Sequence, residues 1–385
     1  MKLFDPITIR GMELKNRIIF PALGVGSQSL GTEKTGKIID FWAERVRGGA
    51  AAVVLGAVPP SLLIPDEELG QSISPDKYIK ALNQLADAVH RAGGRFGVQL
   101  WHINRYPSSL IGPASGPQEW VAPSPRIYKA EEKSLVYMPS GEDMLMRELT
   151  AKEIEAIITR FARASVQIKE AGTDFVEIHM AHGHLPNQFF SPLTNRRRDR
   201  YGGDLTGRMK FGIECIRAIR AAVGDSYPVF VRFAAEDEEG SGGTTLAEST
   251  AYAVDLERAG VDCLDVSVGM PGKSAYSSYC CPPKKQPMGT YAHLAEAIRK
   301  SVSIPVVAVG RINTAQVAEE ILAKGQADLV AIGRQLICDP YWPQKIAENR
   351  FKEVVACDSC NTYCWGIGPK GERPKSLCRK AEKAG

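Results

Sequence analysis

No stretch of this 385-residue chain approaches the roughly 18 apolar residues of a membrane helix. Its opening, MKLFDPITIR, carries Asp5 and Pro6 where a secretory signal would carry an apolar core. Export and membrane insertion are not expected, and the expected compartment is the cytoplasm. Charge of one sign is also missing: 48 Lys and Arg stand against 44 Asp and Glu, and no basic block is interleaved with aromatics, so neither nucleic acid nor a membrane surface is an expected partner. No GxGxxG follows the first apolar run, which leaves an open dinucleotide-binding sheet without its fingerprint. No lysine stands at the end of an expected strand, which removes Schiff-base aldolase chemistry. Cysteine is not scarce, and in a cytoplasmic chain its nine copies read as thiols or metal ligands rather than as a disulfide framework.

What is present is repetition. From residue 17 to about residue 349, short β-branched runs alternate with longer amphipathic stretches, the pattern of βα units on a parallel sheet. Strands are expected at Arg17–Leu23, Ala51–Ala57, Arg95–Trp101, Phe175–His179, Val229–Phe233, Cys263–Ser267, Val306–Val309 and Leu329–Ile332. Helices are expected near Thr35–Arg47, Pro75–Arg91, Thr150–Glu170, Leu205–Val223, Thr245–Arg258, Tyr291–Ser301, Thr314–Ala323 and Pro343–Asn349. Several end on glycine, the usual helix stop: Gly48, Gly93, Gly172, Gly260 and Gly325. Eight such units favour a closed (β/α)8 barrel over residues 1–349, followed by a short cysteine-bearing segment at 350–385. Ile7 to Leu14 reads as a hairpin able to plug the barrel's N-terminal end. The Pro-, Ser- and Gly-rich stretch from Ile103 to Leu149 reads as a long third βα loop, expected to act as a lid.

In such barrels the functional side chains come from the C-terminal ends of the strands. The first two strands end in small groups that let a flat ring approach the backbone: Pro21, Ala22, Leu23 and Gly24, then Gly56 and Ala57. The third ends in Gln99, Leu100, Trp101 and His102, and the amide of Gln99 offers a donor and an acceptor side by side, as a pyrimidine edge requires. The fourth runs into His179, His182 and His184, the fifth carries Arg232, and the seventh and eighth end in Gly310-Arg311 and Gly333-Arg334. Two glycine–arginine pairs on consecutive strands match the usual phosphate site of these barrels. Neutral histidines can polarise a carbonyl oxygen, the natural partner of an arriving hydride. A catalytic zinc would want a carboxylate that the histidine run lacks.

The last four cysteines read C-x2-C-x3-C-x13-C from Cys357 through Cys360 and Cys364 to Cys378, a spacing suited to an iron–sulfur cluster or to structural zinc.

Three segments carry a resemblance to a known family: LKNRIIFPALG at Leu14–Gly24, VQLWH at Val98–His102, and EIHMAHGHLPNQFFSPLTNRRRDRYGG at Glu177–Gly203. The chain resembles the old yellow enzymes, in the branch of 2,4-dienoyl-CoA reductase, 2-enoate reductase and trimethylamine dehydrogenase. The resemblance implies FMN held by Ala22, Leu23, Gly24, Ala57, Gln99, Arg232, Arg311, Gly333 and Arg334, and a carbonyl bound by His179 and His182. It also implies a 4Fe-4S cluster on Cys357, Cys360, Cys364 and Cys378. Relatives with that cluster continue into FAD and NAD(P)H domains, so electrons are expected from a partner subunit or from a missing C-terminal half. Two departures bear on the substrate. His184 stands where many relatives carry the tyrosine that protonates the α carbon, and is expected to be the donor, with Tyr276 and Tyr279 as alternatives. Met270-Pro271-Gly272 stands where the dienoyl-CoA reductases carry a histidine, which argues against that substrate. The expected activity is reduction of an α,β-unsaturated carbonyl compound, with an amine dehydrogenase or a non-catalytic electron-transfer subunit as alternatives.

Overall fold

The computed structural model describes residues 1–64, 73–102, 104–106, 119–128, 143–271, 274, 279–362, 364, 378 and 380. Eight parallel strands close into a barrel in chain order: β1 (Ile18–Leu23), β2 (Ala52–Val58), β3 (Arg95–Leu100), β4 (Phe175–Met180), β5 (Val229–Ala234), β6 (Cys263–Ser267), β7 (Val306–Ala308) and β8 (Leu329–Ala331). Helices α1 (Thr35–Arg47), α2 (Pro75–Arg91), α3 (Ala151–Glu170), α4 (Leu205–Val223), α5 (Leu246–Ala259), α6 (Ala292–Arg299), α7 (Ala315–Ala323) and α8 (Trp342–Ala347) follow them. Among the described residues, no helix is long and apolar enough to cross a membrane.

Local chemistry explains most boundaries. Thr150 with Glu153 and Thr245 with Glu248 form reciprocal capping boxes that start α3 and α5, and Asp204 caps α4. Strands β4, β5 and β6 are buried along their whole length, because one face lines the barrel and the other packs under helices. Gly260 ends α5 in the left-handed conformation, as expected of a glycine stop. Gly48 does not: it stays right-handed, and a Cβ there would stand 1.9 Å from the Pro340 carbonyl oxygen. Its role is close packing of the end of α1 against the turn before α8.

The core lies in two shells. One joins the outward strand faces to the helices, with Trp42, Tyr78, Phe161 and Trp342 among its largest members. The other fills the barrel's interior near its N-terminal end with Ile19, Val54, Phe175, Phe230, Cys263, Val307 and Leu329. The hairpin Ile7–Ile9/Met12–Leu14 forms as expected, and Ile9, Met12 and Leu14 join that inner shell, so the barrel is sealed below.

The stretch from 103 to 149 differs from the expected plain loop. Glu119–Ala122 and Met144–Glu148 pair in parallel at the centre of a small four-stranded sheet, with Arg105–Tyr106 and Arg126–Tyr128 at its edges. The strands are short and their pairing bridges more than twenty residues, so composition alone did not reveal them.

Beyond α8, residues 355–359 are bonded to the C-terminal mouth of the barrel. Gln335 is bonded to this segment twice, donating Nε2 to the Val355 carbonyl at 2.9 Å and accepting the Cys357 amide at 2.9 Å, while Asn313 Nδ2 donates to Ser359 Oγ at 2.8 Å.

Candidate active site

A cavity of about 540 Å3 opens at the C-terminal mouth, within the usual range for small-molecule and cofactor sites. Its lining includes the small groups Ala22, Leu23, Gly24 and Ala57 on one side and Gln99, His179, His182, His184 and Arg232 on the floor. Gly310, Arg311, Gly333 and Arg334 stand at the end formed by the seventh and eighth strands. The strand-end residues singled out from the sequence thus converge on one space.

Register places the floor. His179 on β4 is aligned with Arg232 on β5, which is aligned with Asp265 on β6. Because side chains alternate along a strand, Glu177 and His179 both point inward, Glu177 one layer deeper. Gln99 Nε2 donates to Glu177 Oε1 at 2.7 Å, and Arg232 Nη1 pairs with Asp265 Oδ2 at 3.0 Å. Arg232 Nε is buried and has no partner among the described residues.

After β4 the chain turns sharply. His182 (φ +58°) and Gly183 (φ +73°) are both left-handed, and the His182 amide donates to the Val268 carbonyl at 3.1 Å. The turn is clamped by the short helix Leu185–Phe190, where Asn187 Oδ1 accepts the Gly183 amide at 2.7 Å and Gln188 Nε2 donates to the Gly183 carbonyl at 2.9 Å. Asn187 and Gln188 therefore hold the turn. The result sets His182 edge-on to His179, with Nδ1 of the former 3.3 Å from Nε2 of the latter.

The tautomers follow from the neighbours. The Ala181 amide donates to His179 Nδ1 at 3.4 Å, which leaves that ring's proton on Nε2. His182 Nε2 meets Ser267 Oγ at 2.8 Å, and a hydroxyl can act as donor or acceptor there. Burial, together with the neighbouring His and Arg232 charges, holds both His179 and His182 well below the ordinary histidine range, so both rings are neutral.

His184 packs edge-on against Trp101 and His179. Burial pushes it down to about 3, so the titration near 6.5 expected of an unperturbed imidazole does not occur here. Of the two alternative donors, Tyr279 turns its hydroxyl to the Glu236 carbonyl at 3.3 Å, and Tyr276 lies outside the described residues.

Sequence reasoning missed Glu177, Asp265 and Ser267 as parts of this site, and the thiols of Cys280 and Cys281 on its wall. A signal existed for two of them: in C-L-D-V-S the polar residues alternate within a short apolar strand, which is costly unless they face something polar.

The terminal cysteines are less gathered. Cys364 lines the cavity, while Cys378 lies against the Cys338 thiol, whose ionisation burial and that contact both oppose. Among the described residues, no group of three or more His, Cys, Asp or Glu side chains is arranged to hold a metal ion.

The residues present fit a flavin mononucleotide. The cavity has adequate size, a pair of arginines at one end, and at the other a buried guanidinium with an unused donor beside an amide.

Comparison with known proteins gives the same direction. The sequence profile of the NADH:flavin oxidoreductase / NADH oxidase family matches residues 2–353. The chain is 39% identical to NADH oxidase of Thermoanaerobacter brockii, over 94% of this chain and 53% of that protein. It is 34% identical to NADPH dehydrogenase of Clostridium acetobutylicum (92% and 96% covered) and 30% identical to cinnamate reductase of Clostridium sporogenes (94% and 55%). Among solved structures, 2-naphthoyl-CoA reductase in complex with 2-naphthoyl-CoA superimposes with a TM-score of 0.80 at 29% identity, covering 95% of this chain and 55% of that one. The chain thus spans about half the length of several relatives it matches, and nearly all of the NADPH dehydrogenase.

Proposed function

From the membership of this chain in the NADH:flavin oxidoreductase / NADH oxidase family, the family of the old yellow enzymes, which makes it a flavin-dependent oxidoreductase using FMN, we propose that it reduces the C=C bond of α,β-unsaturated carbonyl compounds. The observation that carries this reading is the pairing of His179 Nε2 with His182 Nδ1, 3.3 Å apart, in the lining of the cavity. FMN bound there supplies the hydride. In the free site His179 donates from Nε2 to His182 Nδ1; a carbonyl oxygen that bridges the two nitrogens would accept from both once the His182 proton moves to Nδ1 and Ser267 donates to Nε2. Two neutral donors stabilise the charge that grows on that oxygen as the hydride reaches the β carbon, and a proton from solvent at the mouth of the cavity then completes the reduction at the α carbon. Gln99, Arg232, Arg311 and Arg334, with Gly310 and Gly333, are the residues assigned to hold the cofactor. His184 serves this pocket as a neutral wall that fixes the His179 ring. Cinnamate and 2-naphthoyl-CoA, the compounds in the names of two relatives, each place a carbonyl next to an unsaturated carbon, in keeping with this substrate class.

Photoreducing the flavin anaerobically and adding an enone or an enoate tests the reading: reoxidation with formation of the saturated product is expected. Flavin reduction by amines, without reoxidation by any enone, would turn the assignment to amine oxidation.

Cys357, Cys360, Cys364 and Cys378 are proposed as the ligands of a 4Fe-4S cluster that passes electrons to the flavin. In support, the segment bearing them is bonded to the mouth of the barrel and brings Cys364 to the cavity wall. Electrons would come from a partner subunit or a further C-terminal half carrying FAD and NAD(P)H sites, in keeping with the greater length of the NADH oxidase relative.

A further inference from the structure

Beside Gln99 and Arg232, on the neighbouring strands, the barrel holds two carboxyl groups, Glu177 and Asp265, 2% and 4% exposed. One guanidinium bonds Asp265 and reaches Glu177 only through its charge. Asp265 Oδ2 takes the ion pair with Arg232, Glu177 Oε1 takes only the neutral amide of Gln99, and Asp265 Oδ1 is buried with no partner among the described residues. The other groups that face the pair cannot neutralise a second negative charge. Cys263 lies lower on β6 with its ionisation opposed by burial, and His179 and His182 above are neutral. The remaining strands contribute apolar Ile19, Val54, Val307 and Leu329. Two ionised carboxylates here would leave one uncompensated charge in a dry interior, which is costly. A proton on one of them removes that charge, and Glu177, the one without the ion pair, is the cheaper place for it.

We propose that Glu177 is a redox-linked proton acceptor acting through Gln99 and Arg232: it takes up a proton when the flavin above it gains an electron pair. The inference rests on the reading that these two residues hold the flavin. Reduction adds negative charge over the Arg232 end of the cavity and competes with Glu177 for the same guanidinium, so the reduced state favours the protonated carboxyl. The balance is two electrons and one proton to the flavin, and one proton from solvent to Glu177. Burial, with Asp265 as the nearest like charge, pushes Glu177 up to about 8 before any electrons arrive. Below that pH the carboxyl is already protonated and reduction brings no extra proton. Above it, and up to the higher value the carboxyl takes once the flavin is reduced, reduction brings one more.

Spectroelectrochemical titration of the FMN holoenzyme from pH 6 to 10 tests this, with flavin content measured first. For a two-electron couple each proton contributes about 30 mV per pH unit. The wild-type slope is expected to rise from about 30 to about 59 mV per pH unit above pH 8, while Glu177→Gln keeps the one-proton slope throughout. Infrared difference spectra of wild type at pH 9 should show a protonated carboxyl band appearing on reduction, absent in Glu177→Gln. A wild-type slope that stays at one proton, or a band that survives in Glu177→Gln and disappears in Asp265→Asn, overturns the assignment. Absence of bound flavin in the wild type would instead overturn the reading of the pocket. If Glu177→Gln does not fold, the wild-type slope and band decide alone.

Discussion

His182 Nε2 lies 2.8 Å from Ser267 Oγ while the same ring turns Nδ1 toward His179 at 3.3 Å. The hydroxyl therefore decides which nitrogen of His182 bears the proton, and with it whether that ring can donate to a substrate oxygen. Ser267→Ala is expected to lower kcat/KM for an enone by about tenfold, the worth of one such hydrogen bond, with FMN content unchanged and activity restored in Ser267→Thr. Equal kcat/KM in Ser267→Ala would remove the hydroxyl from the account.

Three buried histidines and the half-buried His182 set an acid limit. His102 and His184 are pushed down to about 3 by burial, and His179 and His182 are also well below the ordinary value. In the unfolded chain each titrates near 6.5. Their contribution to stability is thus complete above pH 6.5 and is lost as pH falls from there toward the folded-state values, because only the unfolded chain takes up the protons. The Tm is expected to hold between pH 7 and 8 and to fall below 6.5, with a smaller fall in His184→Phe. Flavin reoxidation by an enone should show no inflection near 6.5, since none of these rings changes charge there. An inflection lost in His184→Phe would return His184 to the role of proton donor.

Gly183 is left-handed, and a Cβ on it would stand 2.7 Å from Met270 Sδ. Gly183→Ala combines backbone strain of about 1–3 kcal/mol with displacement of Met270 or of the turn that carries His182. A lower Tm and a weaker reaction with enones are expected together. A variant that matches wild type in both would show that the turn tolerates a side chain.

Much of this molecule is legible in its sequence because a parallel barrel repeats one strong signal. The bounds of α1, α2 and α4 coincide with those read from periodicity, and each barrel strand lies within one residue of its expected limits. Arg232 and the glycine–arginine pairs were found because strand ends are where such barrels place function. What escaped is non-local. Ser267 matters only because the turn at Gly183 folds His182 back over β6, and Glu177 and Asp265 matter only because barrel closure sets them around one guanidinium. The parallel pair Glu119–Ala122 and Met144–Glu148 is likewise fixed by tertiary pairing.

The terminal cysteines give a plain analytical test. Chain purified without oxygen is expected to contain four irons and four acid-labile sulfides, both lost in Cys360→Ala while FMN remains. One zinc and no sulfide would make the segment a structural zinc site and leave the route of electrons to the flavin to be sought elsewhere.

His179 and His182 together are assigned to hold the carbonyl of an unsaturated substrate. Single-turnover reoxidation of the photoreduced holoenzyme by one good enone, in wild type, His179→Ala, His182→Ala and His182→Asn, tests this assignment most directly. Each alanine variant is expected to react about 100- to 1,000-fold more slowly, the usual cost of removing an oxyanion donor, with flavin still bound. His182→Asn should recover part of the rate, because asparagine keeps a donor and accepts the left-handed backbone. Alanine variants that retain FMN and reoxidise as fast as wild type would contradict the assignment of the carbonyl to this pair.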